Sequence, residues 1–237
     1  MTIELLGTLD NEDNRGIPEW RLILQELDRT GQSNPRPIQR QDFANSHATT
    51  IRRIGGADYH YHILNQIYVP NVTPMRQFTT IWTEIETESV TFMLYSSLDS
   101  LMQEINLTYK FGIPEFKIDV NHDPASCTRQ ARACVRCALD GVNDSLTTYL
   151  NSELSSTWFD ALRKLRNRIS HKQLLATNTN LAPTAYIEMP TDPEAIPYTE
   201  VPRAGVELNG YCVTTRSNVA RVISQTYQII MPKIRDI

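Results

Sequence analysis

PMRQFTTIWTEIETESVTFMLYSSLDSLMQEINLTYKF, residues 74–111, contains no proline or glycine after Pro74, and the next glycine is Gly112. Ile81, Ile85, Phe92, Leu98, Leu101 and Ile105 recur along it at mixed three-, four- and seven-residue steps. That is helical periodicity, and the stretch is long enough for a helix of roughly nine turns. Pro114 ends it. A segment of this length and pattern sets an all-α reading for the part of the chain around it.

Downstream, DPASCTRQARACVRCALDGVNDSLTTYLNSEL (123–154) reads as a second helical region. Asp123 is its expected N-cap and Pro124 its first residue, with interruptions at Gly141 and Asn143. A third helix is expected over SSTWFDALRKLRNRISHKQLL (155–175). A residue among Ser155, Ser156 and Thr157 caps it, Asp160 sits at the positive end of its dipole, and Trp158, Leu162, Leu165 and Ile169 form a buried stripe. Residues 176–213 lose this periodicity and carry five prolines, which predicts a loop-rich insertion with one small hairpin from AYIEM and EAIPYTEV. A closing helix follows at about 217–230, burying Val219, Val222, Ile223, Tyr227 and Ile230.

Upstream the pattern is weaker. IPEWRLILQELDRT (17–30) fits one short helix with Trp20, Leu22, Ile23 and Leu27 on one side. ADYHYHILNQIYV (57–69) is rich in β-branched and aromatic residues and is expected as a strand or hairpin arm. The expected architecture is therefore all-α. It consists of a four- to five-helix bundle over residues 74–237 and an N-terminal extension, 1–73, of irregular or small β elements.

Composition narrows the function classes. The chain has 237 residues, a net charge of −4 and a pI near 5.8, so no global nucleic-acid footprint exists and any such contact needs a local basic patch. No apolar run approaches membrane-spanning length, and the N-terminus lacks a signal-peptide pattern, so a cytoplasmic location without membrane contact is expected. Cysteines stand at 127, 134, 137 and 212. In a reducing compartment a disulfide framework is not expected. Cys134 and Cys137 form a CxxC pair, but a strong zinc signal needs a second such pair. Buried thiols are the leading expectation, with zinc or redox use as the alternative.

The basic patch is LRNRISHK, residues 165–172. Arg163, Arg166, Asn167, Ser170 and His171 form one polar strip opposite Leu162, Leu165 and Ile169, and Lys164, Arg168 and Lys172 lie further round. Histidine titrates near neutrality and can move a proton to or from a ribose hydroxyl or a leaving oxygen. Arginine grips phosphate oxygens with a fixed fork of donors. One helix brings one histidine, so a two-fold dimer would bring both an acid and a base. The alternative is a solvated basic face that complements the negative end of the helix dipole.

The run R-N-R-I-S-H (166–171) resembles the R-x4–6-H motif of the HEPN superfamily, including a polar residue after the arginine. SSLDSLMQEIN (96–106) resembles the helix that precedes the motif helix in HEPN-like bundles. The resemblance spans residues 74–235. It implies a helical bundle that forms a homodimer, binds RNA, and in many members cleaves RNA without metal or cofactor in toxin–antitoxin, phage-defence or RNA-processing roles. Arg166 and His171 would be the catalytic pair, with Asn167 in support. The charge argument adds Arg163, Ser170, Arg168 and Lys172 as substrate contacts. An antitoxin or other protein partner is a further implication. Two residues after the histidine stands Gln173, where the branch paired with a nucleotidyltransferase antitoxin has tyrosine.

Two other readings stay open. The same strip could serve a non-catalytic module that binds a nucleotide, a nucleic acid or a protein. His60 and His62, sharing one face of a strand with Asp58 nearby, could start a metal site. The acidic run TEIETES (83–89) reads as a solvated face whose carboxylates could also reach Arg166.

Overall fold

The computed structural model describes residues 17–31, 37–67, 76–121, 134–170, 177–178, 186–187 and 206–234. The fold is an all-α helical bundle. Among the described residues there are seven α-helices: α1 (Glu19–Gly31), α2 (Pro37–Ile67), α3 (Arg76–Tyr109), α4 (Val135–Val142), α5 (Ser145–Glu153), α6 (Thr157–Ser170) and α7 (Leu208–Ile234). Three two-residue strands, β1 (Thr177–Asn178), β2 (Tyr186–Ile187) and β3 (Val206–Glu207), pair antiparallel in that order. β2 falls in the expected AYIEM arm, whereas EAIPYTEV lies outside the described residues. So do the expected boundary at 73/74 and the cap at Asp123.

The N-terminal part departs from expectation. Residues 57–67, expected as a strand, are the C-terminal third of α2. β-branched and aromatic residues favour strands only weakly, and tertiary context overrides them. Along α2 the buried positions Phe43, His47, Thr50, Ile54, Ala57 and Leu64 keep helical spacing through the histidine and threonine, which an apolar count passes over.

In α3 the buried stripe is also rotated from the expected one. Leu98, Leu101 and Ile105 are buried, but Ile85 and Phe92 are exposed, and the stripe continues N-terminally through Leu94, Val90, Thr87 and Thr83. Thr87 is accommodated because its hydroxyl donates to the Thr83 carbonyl, 2.6 Å away, one turn back. α7 buries all five expected residues and begins earlier than expected, with Leu208, Tyr211 and Cys212 buried in its first turns.

The chain divides into two compact units. One comprises Met1–Arg53, Ser96–Leu154 and Val219–Ile237; the other comprises Ile54–Tyr95 and Ser155–Asn218. Three of the dividing points fall inside α2, α3 and α7.

The first unit has a polar network in its core. His47 and Glu104 are fully buried, with 3.1 Å between Nδ1 and Oε2. His47 Nε2 lies 3.1 Å from the Trp20 carbonyl, which can only accept, so this nitrogen carries hydrogen. Thr50 and Tyr227 both donate from their hydroxyls to Glu104 Oε1. Four helices, α1, α2, α3 and α7, thus meet at one carboxylate and one imidazole. A buried carboxylate is tolerated because the Thr50 and Tyr227 hydroxyls donate to it.

Helix ends in this unit follow local chemistry. Asn143 adopts the left-handed conformation, φ 51°, and closes α4. Asp144 then caps α5, accepting from the Leu146 and Thr147 amides at 3.0 and 3.1 Å. This is the interruption expected at Asn143.

Candidate functional site

The motif helix α6 lies in the second unit. Its buried residues are Phe159, Leu162, Leu165 and Arg168, at steps of three, rather than Trp158, Leu162, Leu165 and Ile169. The helix is therefore turned by part of a step from expectation, and Trp158 and Ile169 are only half-buried. The aromatic pair explains the rotation. Phe159, not Trp158, packs its ring parallel to buried Tyr95 of α3, with centroids 6.2 Å apart.

This rotation sorts the proposed cations. Arg168 is buried, and its Nε has no hydrogen-bond partner among the described residues. The substrate contact expected at Arg168 therefore falls on the buried side of α6. Arg163 is exposed but donates to Asp160 Oδ1 at 2.7 Å, and Lys164 pairs with the other Asp160 oxygen at 2.9 Å. Burial pushes the Asp160 carboxyl up, but bonds from Arg163 and Lys164 outweigh this and hold it below the ordinary carboxylate range. These are the i,i+3 and i,i+4 pairs of a helix surface.

Arg166 is different. Its guanidinium lies over the Tyr95 ring, 4.9 Å from the centroid, and Nη1 donates to Asn167 Oδ1 at 3.3 Å. Its Nε is buried without a hydrogen-bond partner among the described residues. Among the described residues this half-buried cation is thus seated on an aromatic face and a carboxamide, with no carboxylate partner. Ser170 is exposed at the end of α6. His171 and Lys172 lie outside the described residues. Of the expected strip, the structure brings together Arg166 and Asn167, leaves Arg163 on a local ion pair, and turns Arg168 inward.

Tyr95 was not singled out in the sequence as part of this site. The available signal was modest: a tyrosine in the run FMLYSSL (92–98), whose ring edge and face need specific neighbours.

The alternative metal site does not assemble. His60, His62 and Asp58 are on a helix, where residues two apart point to different sides. His60 Nδ1 is 2.7 Å from Glu86 Oε2, His62 is bonded to Gln66, and Asp58 holds Arg216 through two bonds of 2.9 Å. No group of three metal-ligating side chains occurs among the described residues. The acidic run is likewise not simply a solvated face: Glu86 is buried, and its partner is His60 rather than Arg166.

The cysteines also differ from expectation. Cys137 is disulfide-bonded, while Cys134 and Cys212 are thiols. The expectation of thiols throughout rested on a reducing compartment, a premise that the sequence alone does not establish.

No helix among the described residues is long and apolar enough to cross a membrane. Comparisons with family models, curated proteins and solved structures find no match to this chain.

Proposed function

We propose that the protein is a HEPN-like RNA-binding protein that acts as a homodimer, with Arg166 as its phosphate grip and His171 as its acid–base group. The observation that carries this reading is the seat of Arg166. Among the described residues the Arg166 guanidinium is held by a ring face and the Asn167 carboxamide, which leaves it donors for an anion, whereas one clamped by a carboxylate has already spent them. Its orientation is set before a ligand arrives, which lowers the ordering cost of binding. Asn167 holds the arginine, a role that fits its place in the motif.

In the catalytic form of this reading, a neutral His171 takes the proton from a ribose 2′-hydroxyl. The resulting oxygen attacks the adjacent phosphorus, and His171 of the partner subunit protonates the leaving 5′-oxygen. Arg166 offsets the charge that builds on the phosphoryl oxygens. No metal or cofactor is required by these steps. Toxin or defence activity with an antitoxin partner, in the cytoplasm, is the biological setting that the motif resemblance suggests.

A second reading, a non-catalytic binding module, is favoured by Asp160, which engages two of the helix's cations, and by the inward turn of Arg168. Both readings place Arg166 at the ligand. Fluorescence anisotropy with a labelled single-stranded RNA tests that shared point. Arg166→Ala is expected to weaken binding by about tenfold or more, the worth of a charge-assisted hydrogen bond. Arg163→Ala is expected to change it less than threefold, because Arg163 already serves Asp160. Equal losses in the two variants, or none in Arg166→Ala, would overturn the assignment.

A further inference from the structure

We propose that His47 and Glu104 form a buried imidazolium–carboxylate pair that makes the first unit pH-sensitive, weakening it as pH rises past neutrality. The pair is independent of the RNA reading.

Counting hydrogens around the two side chains leads to it. His47 Nε2 donates to the Trp20 carbonyl at 3.1 Å. Nδ1 has two polar neighbours, Glu104 Oε2 and the Tyr227 oxygen, each 3.1 Å away. The Tyr227 hydroxyl has a single hydrogen, which it donates to Glu104 Oε1 at 3.1 Å. Burial, helped by the charge of Glu104, pushes this phenol well above its ordinary range, so it keeps that hydrogen. Nδ1 therefore faces two oxygens that can accept, and it needs a hydrogen of its own. A neutral ring would point a lone pair at a carboxylate oxygen. Turning the Tyr227 hydrogen towards Nδ1 would not relieve that contact, because Oε2 stays where it is.

The surroundings favour charge at both ends of the pair. The Trp20 and Phe43 rings lie near-parallel to the imidazole, tilted by 18° and 13° with centroids 6.2 Å away, and such faces attract a cation. Glu104 takes hydrogens from Thr50 and Tyr227. Both partners are fully buried, so salt screens their attraction little. Element by element, α1 presents the Trp20 carbonyl and ring to His47, α2 the Phe43 ring, α3 the Glu104 carboxylate and α7 the Tyr227 hydroxyl. Glu19, the charged neighbour of Trp20, is turned to Ser224 and Gln228 of α7, at 2.7 and 2.6 Å.

The unfolded chain sets the pH window. A histidine in water loses its proton through about pH 6.5, and a glutamate is ionised above about pH 4.3. Between those values the folded and unfolded chains hold the same proton on this pair. Above about pH 6.5 the unfolded chain releases it and the fold keeps it. The stabilisation is therefore full below that value and is lost as pH rises, by about tenfold in the folding equilibrium per pH unit. Once the proton leaves, a carboxylate faces a bare nitrogen, and α1, α2, α3 and α7 lose their common tie.

Glu104→Gln isolates the effect. Its carboxamide oxygen accepts from Thr50 and Tyr227, and its amide hydrogens donate to a neutral Nδ1, so the variant has no need of the proton. Full-length wild type and Glu104→Gln are unfolded in urea from about pH 6 to about pH 8.5, followed by circular dichroism. All other titrations are common to both chains, so the ratio of their folding constants reports this pair. That ratio, wild type over variant, is expected to fall by about tenfold per unit above about pH 6.5. Parallel pH profiles would overturn the proposal. Nitrogen-15 NMR of the wild-type His47 ring at about pH 8, where a histidine in water is neutral, needs no variant to fold. Hydrogen on both ring nitrogens is expected, and a bare Nδ1 would equally overturn it.

Discussion

Arg166 shows how one residue's meaning depends on what lies beneath it. Arg163, Arg166 and Arg168 look alike in the sequence, but the structure gives them a carboxylate, a ring face and a buried position respectively. Removing the ring should therefore act on ligand binding through Arg166. Tyr95→Leu is expected to weaken RNA binding several-fold while keeping helicity, the scale of a partly desolvated cation–π contact; anisotropy beside circular dichroism checks it. Glu104 is the residue on which the first unit's buried polar network converges. Glu104→Ala removes the buried acceptor that the Thr50 and Tyr227 hydroxyls share and leaves a cavity beside His47, and should cost about 3 kcal/mol in urea unfolding. Asp144 makes a pH prediction. Burial raises its carboxyl, but the Tyr109 hydroxyl, the Thr147 amide and Lys233 outweigh that and hold it below the ordinary range. A depressed folded pKa gives stability that is full above the unfolded carboxylate value and lost as pH falls through the folded one. Asp144→Asn should thus unfold at lower urea than wild type at pH 7, with the gap closing below about pH 4.

At the level of elements, backbone and packing make separable demands. Gly141 is helical in α4, and a Cβ there would meet nothing within 4 Å. Gly141→Ala should stabilise by about 0.5–1 kcal/mol in denaturant unfolding, since only glycine's extra freedom is lost. Gly56 of α2 is the opposite case, because a Cβ there would stand 3.3 Å from Met93 Sδ of α3. Gly56→Leu should cost about 1–3 kcal/mol by overpacking that contact. Much of the element pattern was legible: α3 and α7 from their aliphatic periodicity, and the α4–α5 break from Asn143. What escaped had physical causes. Thr87, Thr50 and His47 occupy buried helix positions because nearby carbonyls, or the Glu104 network, satisfy them. Counting them as polar turned the α3 stripe towards Ile85 and Phe92 and hid α2 altogether. In α6 the choice between Trp158 and Phe159 was invisible without Tyr95, and it decided which arginine faced inward.

For the whole molecule, the all-α architecture and the absence of a membrane-spanning helix among the described residues follow from the long helices and their interrupted apolar faces. The candidate strip was legible as a motif and as a run of polar residues. The pairing of Arg166 with Asn167, apart from Arg163 and Arg168, was not, because ion pairing and helix rotation are tertiary facts. The catalytic form of the proposal further requires His171 from two copies, which ties activity to a dimer. The most direct measurement is cleavage of a labelled RNA in EDTA by the wild type, Arg166→Ala and His171→Ala, each confirmed folded. The account predicts metal-free cleavage by the wild type with 2′,3′-cyclic phosphate ends, and a loss of at least a hundredfold in both variants, as expected for removing an acid–base or charge-stabilising group. Full activity in His171→Ala, or no cleavage by a dimeric wild type that binds RNA, would contradict it.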